Sequence, residues 1–423
     1  MGVWTGDPGI FPCQNEALYA ITWGPSGCNA QYPEFWISMD HGASWTNLGV
    51  VDSITGGDSY SSLVSDGENI YVVLWATGNY PSVYRTTDGG GTWELRGEIT
   101  PAGTGAGEPS VAMQLDQDHL YVATWDYNKT PKFYTSTDWG TTWSYTSDIC
   151  DLLGGEAGLE DVLDITNDNS GNLYALVWKE YNTSYYYPRI YSSSDFGNTW
   201  TLRSSLSEGD NFDDPAGSIL YWPGNGGRLY IMIWSDDLGT SAHFYESTDM
   251  GDSWTFKSNI TVAYPASDMN NFLSLADFSD GTLFCAFWND QSSNPIEVYT
   301  STDLGTTWSL SGTIPRNTAG NDLYRPTVDI MPLYNPILVK EMPRADRGQS
   351  MTALPGRIRF VPETGGHLIL RVYDASGRRV AQVFNGTVSK GQLVESQVPE
   401  NGVYAVAWLN GRLMSVKLLS ESR

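Results

Sequence analysis

Ser38-Met39-Asp40-His41-Gly42-Ala43-Ser44-Trp45 is the stretch on which the reading of this chain turns, because its pattern returns five more times. Ser/Thr-x-Asp-x-Gly-x-x-Trp recurs from Thr86 to Trp93, Ser136 to Trp143, Ser193 to Trp200, Ser247 to Trp254 and Ser301 to Trp308. The aspartates Asp40, Asp88, Asp138, Asp195, Asp249 and Asp303 are spaced by 48, 50, 57, 54 and 54 residues. An Asp carboxylate so placed can accept hydrogen bonds from the amides of a tight turn. The Gly two positions on allows positive φ, and the Trp can cover the hairpin with a large apolar face. These six aspartates therefore read as structural rather than catalytic.

A second element precedes each copy at a nearly constant interval. It is a six-residue apolar run ending in Trp: Leu18–Trp23, Ile70–Trp75, Leu120–Trp125, Leu173–Trp178, Leu229–Trp234 and Leu283–Trp288. Turn signals such as Ser170-Gly171-Asn172 lie just ahead of most copies, and before them come further short strands such as Ser110–Leu115 and Asp161–Ile165. Each repeat thus holds four strands: A, the Trp-ending B, C entering the motif and D leaving it. Six four-stranded antiparallel units of this length predict an all-β protein, a six-bladed β-propeller whose radial closure protects the strand edges. The Trp residues ending strand B read as packing between blades. Blade 1 has two possible A strands. Gly9–Cys13 precedes it, and Tyr324–Ile330 sits where the next strand A is due and would clasp the ring with both chain ends.

Composition agrees with short strands and tight turns: 423 residues with 17 Trp, 25 Tyr and only 17% charged residues. No run of 18 apolar residues is present, so no membrane-spanning helix is expected. Residues 1–340 hold 42 Asp and Glu against 12 Lys and Arg, whereas residues 341–423 hold 7 against 11. So acidic a body repels phosphate backbones, which excludes nucleic acid as the expected partner. Cys13, Cys28, Cys150 and Cys285 show no metal-ligand spacing. A Cys13–Cys28 disulfide is left open, and Cys285 reads as a buried thiol. Met1-Gly2-Val3-Trp4-Thr5 has neither the basic region nor the apolar stretch of a signal peptide.

The motif divides the chain into a propeller over residues 1–331, a Pro-containing linker over 332–356 and a C-terminal β-domain over 357–423. That last region alternates apolar and polar residues at Leu368–Tyr373, Val403–Trp408 and Leu413–Leu419, and reads as a small antiparallel β-sandwich. Its Val372-Tyr373-Asp374-Ala375-Ser376-Gly377-Arg378-Arg379-Val380-Ala381, Asn401-Gly402-Val403-Tyr404 and Ser415-Val416-Lys417-Leu418-Leu419 resemble the type A C-terminal sorting domain of the type IX secretion system. The resemblance implies passage through an outer membrane by export machinery, then release or surface attachment, hence a secreted or cell-surface protein. An Asn-Pro-Phe segment common ahead of such domains is absent. A generic carbohydrate-binding sandwich is the alternative.

The six motifs resemble the Asp boxes of the sialidase and BNR-repeat superfamily of six-bladed propellers. That resemblance implies, for an enzyme, three arginines on a substrate carboxylate, a Tyr–Glu nucleophile pair and an Asp acid/base. The Arg-Ile-Pro motif usual near the N-terminus of such enzymes is missing. Of the seven propeller arginines, Arg85, Arg96, Arg203 and Arg228 fall beside motifs or in an A–B turn, leaving Arg189, Arg316 and Arg325. Fold does not fix function, so the rim formed by the D-to-A and B–C connections is the place to look. The D-to-A connections carry Asp58, Glu108, Glu160 with Asp161, Asp213 with Asp214, Asp268 and Asp322, and the last of them also carries Arg325. The B–C connections carry Tyr32, Tyr80, Tyr127, Tyr181 and Tyr185-Tyr186-Tyr187. Carboxylates among tyrosines suit carbohydrate, and the same oxygens would suit a calcium ion, although no cofactor is required. The expectation is a monomeric, non-catalytic glycan- or protein-binding propeller. The competing one is a glycan-active hydrolase, a sialidase-like glycosidase, or a polysaccharide lyase using two rim carboxylates.

Overall fold

The computed structural model describes residues 17–23, 32–53, 59–66, 69–76, 78–102, 110–116, 119–125, 130–150, 161–179, 187–206, 216–235, 238, 241–261, 272–278, 281–288, 295–315, 328–333, 350–354, 357–362, 366–373, 379–397, 404–409 and 412–418. Six four-stranded antiparallel sheets form a six-bladed β-propeller. Blade 1 contains β1 (Ala17–Trp23), β2 (Pro33–Ser38) and β3 (Thr46–Val50). Blade 2 contains β4 (Ser59–Ser65), β5 (Ile70–Ala76), β6 (Ser82–Thr86) and β7 (Glu94–Glu98). Blade 3 contains β8 (Ser110–Asp116), β9 (His119–Trp125), β10 (Lys132–Ser136) and β11 (Ser144–Asp148). Blade 4 contains β12 (Asp161–Asn167), β13 (Leu173–Lys179), β14 (Arg189–Ser193) and β15 (Thr201–Ser205). Blade 5 contains β16 (Ala216–Trp222), β17 (Arg228–Trp234), β18 (Ser241–Ser247) and β19 (Thr255–Thr261). Blade 6 contains β20 (Phe272–Asp277), β21 (Leu283–Trp288), β22 (Ile296–Ser301) and β23 (Ser309–Ile314). The inner strand of blade 1 is β24 (Val328–Leu333), in the order β24-β1-β2-β3. Of the two sequence options, the return of the chain after the sixth repeat is the one found; Gly9–Cys13 lies outside the described residues. Strand β16 starts three residues earlier than Ile219, the position read from sequence.

Two compact units divide the chain, one of Met1–Gly6, Glu16–Thr86 and Gly90–Pro332, the other of Asp7–Asn15, Thr87–Gly89 and Leu333–Arg423. The second unit holds two antiparallel sheets. One is β25 (Ser350–Leu354), β26 (Arg357–Val361) and β29 (Val394–Gln397); the other orders β28 (Arg379–Val388), β27 (Gly366–Tyr373), β30 (Tyr404–Leu409) and β31 (Arg412–Leu418). Strand β25 falls inside the stretch read as linker. Alternation along β26 buries Ile358 and Phe360 while Arg357 and Arg359 both reach Glu395, at 3.0 and 2.7 Å.

The propeller's B strands are the most apolar and the most buried; Trp23, Trp75, Trp178 and Trp234 at their ends are almost wholly enclosed. Neighbouring inner strands share no sheet bonds, so their backbone N–H groups need side-chain acceptors from the blade before. Ser62 accepts from Met113 N (3.1 Å), Ser218 from Leu275 N (3.1 Å) and Ser274 from Ile330 N (3.2 Å). Ala112 is the blade-3 counterpart and has no acceptor. There Asp164 substitutes with both oxygens: Oδ1 takes its neighbour Ile165 N (2.8 Å), and Oδ2 takes Ile219 N (2.8 Å) and the Ser218 hydroxyl (2.7 Å).

Outside the inner ring, the repeat turn both closes its hairpin and locks the preceding blade. In the first copy Ser38 Oγ accepts from Gly42 N (2.8 Å) and donates to Asp40 Oδ1 (2.9 Å), which also takes Ser44 N (2.8 Å). The same bonds recur around Asp138, Asp195, Asp249 and Asp303. They hold two consecutive left-handed residues. The first of these is bulky in five copies: His41, Trp139, Phe196, Met250 and Leu304, at φ of 55–60°. That conformation costs about 1 kcal/mol or more for a residue with a Cβ, and it sends the side chain toward the blade before. Trp139 stacks on Tyr71 (5.9 Å), Phe196 lies against His119 (5.6 Å) and His41 against Phe278 (5.4 Å).

The outer strand of each blade meets the next turn in one of two ways, set by the residue four after the motif Trp. Where it is serine, the hydroxyl bridges. Ser147 donates to Gly197 O and accepts from Trp200 Nε1 (3.1 Å), and Ser204 and Ser258 do the same with the turns of blades 5 and 6. Where it is glycine, the backbones touch instead. A Cβ at Gly97 would lie 2.6 Å from Thr141 O, and one at Gly312 2.4 Å from Gly42 O. Trp143 and Trp45 there donate to a carbonyl of their own turn, both at 3.1 Å.

The junction from blade 1 to blade 2 has neither device. Gly49 has open space around it, Gly89 has no side chain to send back, and the buried Trp93 Nε1 has no acceptor. Strand β3 is exposed at every residue, unlike the other five outer strands. Phe35, packed edge-on to Trp93 at 5.0 Å, is the side chain that spans it.

Three outcomes follow from these contacts. Hydrogen exchange should find the amides of β3 opening faster than those of β11, β15 and β19; equal protection in all four would contradict the difference between junctions. Gly312→Ala should cost about 1–3 kcal/mol in chemical denaturation, from overpacking against backbone, against about 1 kcal/mol for Ser204→Ala. Asp249 and Asp303 are held down to about 2, the first chiefly by the Ser253 hydroxyl and the second chiefly by the Thr307 amide. Their folded values lie below the unfolded one, so their contribution is present above about pH 4 and is lost as pH falls toward 2. Asp303→Asn should remove part of that acid dependence.

Candidate functional site

Because strands alternate in direction, the end of B, the start of C, the end of D and the start of A share one rim in every blade. The repeat turns lie on the other. The tool that shapes the first rim is proline. Tyr32-Pro33, Tyr80-Pro81, Thr130-Pro131 and Tyr187-Pro188 lead into the C strands of blades 1 to 4, each proline five residues ahead of the Ser/Thr that opens the turn. Each proline carbonyl accepts the N–H of the residue just past strand D: Val51 (2.9 Å), Ile99 (2.8 Å), Ile149 (2.9 Å) and Leu206 (2.9 Å). Proline fixes its own φ and restricts the residue before it to extended backbone. The tyrosine backbone is therefore set without a ligand. Tyr32 is 39% and Tyr80 37% exposed, while Tyr187 is half-buried.

One step inside this rim, equivalent positions of the six C strands carry Glu34, Ser82, Lys132, Arg189, His243 and Glu297. Two residues further on each carries an aromatic: Trp36, Tyr84, Tyr134, Tyr191, Tyr245 and Tyr299. Lys132 pairs with Asp148 (3.1 Å) and sits over the Tyr145 ring (5.0 Å). Arg189 hydrogen-bonds to Tyr191, whose hydroxyl is pushed up chiefly by burial. Tyr84 is pushed up too, first by burial and then by its bond to Asp52. Tyr299 donates to Glu297 Oε2 at 2.7 Å, and His243 lies edge-on to Phe256 at 5.4 Å. Burial raises the Glu34 carboxyl, opposed by a hydrogen bond from Asn47. A raised carboxyl is what a general acid needs, but the partner that contacts Glu34 is an amide and not a second carboxylate.

Of the residues that the sequence assigns to this rim, Asp161 is the first residue of β12 and the register partner of Lys179. Asp58, Glu108, Glu160, Asp213, Asp214, Asp268, Asp322, Tyr127, Tyr181, Tyr185, Tyr186, Arg316 and Arg325 lie outside the described residues, as do Cys13 and Cys28. The other arginines stand away from the rim and are engaged. Arg85 pairs with Glu94 (2.6 Å), Arg96 with Glu94 (3.1 Å), Arg203 with Asp252 (2.7 Å), and Arg228 with Glu246. Among the described residues no group of three or more His, Cys, Asp or Glu is placed to hold a metal ion. Cys285 is buried in β21, and burial pushes its thiol up. No helix among the described residues is long and apolar enough to cross a membrane. The proline offset was present in the sequence and is the signal that composition-based reading of the loops passes over.

No family model and no curated protein matches this sequence. Solved structures do resemble the propeller. AofleA from Arthrobotrys oligospora, crystallised as an arginine-to-alanine mutant, is 9% identical over 76% of this chain and 87% of its own, with a TM-score of 0.51. The Aleuria aurantia lectin, described as a six-bladed β-propeller with a novel fucose recognition mode, is 12% identical over 74% and 99%, at 0.48. An α-L-arabinofuranosidase from Fusarium graminearum is 15% identical over 66% and 92%, at 0.43. At these identities the likeness speaks for the fold alone.

Glu34 offers a test of the rim's electrostatics. Its folded pKa lies above its ordinary value, so its contribution to stability is full below about pH 4 and is lost as pH rises through the folded value. Glu34→Gln should therefore be tolerated at pH 7 and should flatten the stability profile between about pH 4 and 7. An unchanged profile would show that the carboxyl is not held in its neutral form.

Proposed function

We propose that this chain is an exported, non-catalytic propeller that binds glycan, free or on a surface protein, at the rim opposite the repeat turns. The observation that carries the reading is the repeated presentation of Tyr32 and Tyr80, exposed, fixed by the proline after each, and equivalent in neighbouring blades. An aromatic face held rigid loses little entropy on stacking against a sugar ring, and carboxylates in the adjoining connections accept sugar hydroxyls. The repeat-turn aspartates are occupied in holding their own turns, so they are not offered to a ligand. Resemblance of the repeat to Asp boxes, and of residues 357–420 to a type IX sorting domain, supports an extracellular or cell-surface setting and a monomeric chain handled by export machinery.

A glycan array probed with the purified chain tests this directly. Binding is expected, with Tyr32→Ala and Tyr80→Ala each weakening it by about 1 kcal/mol, roughly fivefold. Binding unaffected by either substitution would move the site elsewhere. Turnover of fluorogenic glycosides or polysaccharides would replace the binding reading with a catalytic one.

A further inference from the structure

The rim's charge carries the reading one step further, to the class of glycan. In the propeller's strands, the cations whose side chains are described are already engaged. Arg85, Arg96, Lys132, Arg203, Arg228 and Lys257 each pair with a carboxylate, and Arg189 hydrogen-bonds to Tyr191. Lys179 is the register partner of Asp161. The twelve connections that join strand ends on the tyrosine-bearing rim are 24–32, 51–58, 77–81, 99–109, 126–131, 149–160, 180–188, 206–215, 235–240, 262–271, 289–295 and 315–327. Together they hold 17 Asp and Glu against three cations, Lys129, Arg316 and Arg325. An anionic group brought to this rim meets net negative charge. To be bound it would have to take a cation from a carboxylate that already holds it, leaving that carboxylate unpaired.

A neutral sugar meets no such penalty, since carboxylates accept from its hydroxyls. A protonated amine gains a charge-assisted hydrogen bond and attraction to the tyrosine faces. We propose that the rim sorts saccharides by charge, taking neutral and amine-bearing glycans and refusing those that carry carboxylate or sulfate. This rests on the glycan-binding reading above. It adds a selectivity that stacking tyrosines alone do not impose, because every sugar ring has an apolar face.

The test is an array holding neutral, N-deacetylated and acidic glycans (uronate, sialate and sulfate), read with the full chain at low and at high salt. Bound glycans should be neutral or amine-bearing. Amine-bearing ones should weaken severalfold on raising the salt while neutral ones hold, because only the former depend on unscreened charge. Asp58→Asn, Asp214→Asn and Asp268→Asn combined should lower the amine-over-neutral preference by roughly two- to fivefold per charge at low salt. Selective capture of acidic glycans would overturn the charge sorting and leave the glycan-binding reading standing, as would equal, salt-insensitive binding of all three classes. Binding of no glycan at all would remove the reading itself.

Discussion

A single hydrogen-bonded turn underlies the propeller. A Ser/Thr hydroxyl and an Asp carboxylate together satisfy the amides of two consecutive left-handed residues. The strain of the first is offset by what its side chain reaches, the blade before it, as Trp139 reaches Tyr71. Local turn chemistry and inter-blade packing are therefore one interaction, repeated around the ring. That coupling explains why Ser, Asp, Gly and Trp keep their places while the loops on the other rim differ from blade to blade.

The same turn accounts for a second level of order. Phe35, Phe133 and Phe244 receive the turns of blades 2, 4 and 6, while Val83, Ile190 and Val298 receive those of blades 3, 5 and 1. Large and small side chains alternate around the ring, so close packing is met by two kinds of seam rather than one. The outer strands add a third variable, serine or glycine four residues after the Trp. In blade 1 that residue, Gly49, leaves the next turn uncovered.

Much of the fold was legible because its signals are local and periodic. Six copies of an eight-residue motif, each behind an apolar run ending in Trp, fix blade number and strand order without any long-range information. Blade closure was not decided by pattern, since Gly9–Cys13 and Tyr324–Ile330 both suit an inner strand; pairing of β24 with β1 is a long-range fact. Strands β25, β26, β28 and β29 were missed because their apolar positions are short runs between charges, as in Arg357-Ile358-Arg359-Phe360. At the rim, Tyr32 and Tyr80 were legible as residues of the right loops. Their fixed presentation was not, because it depends on proline carbonyls pairing with Val51 and Ile99 across the hairpin. The order inside the rim, from Glu34 round to Glu297, emerges only when the C strands are aligned on their turns.

The two rims thus divide the work, one holding the ring and the other free to vary. The most direct test is a crystal structure of the chain with the tightest saccharide from a glycan screen. Sugar stacked at Tyr32 or Tyr80, with the six repeat turns unchanged, is the predicted result. Sugar seated on the repeat-turn face, against Asp40 or its five counterparts, would contradict it.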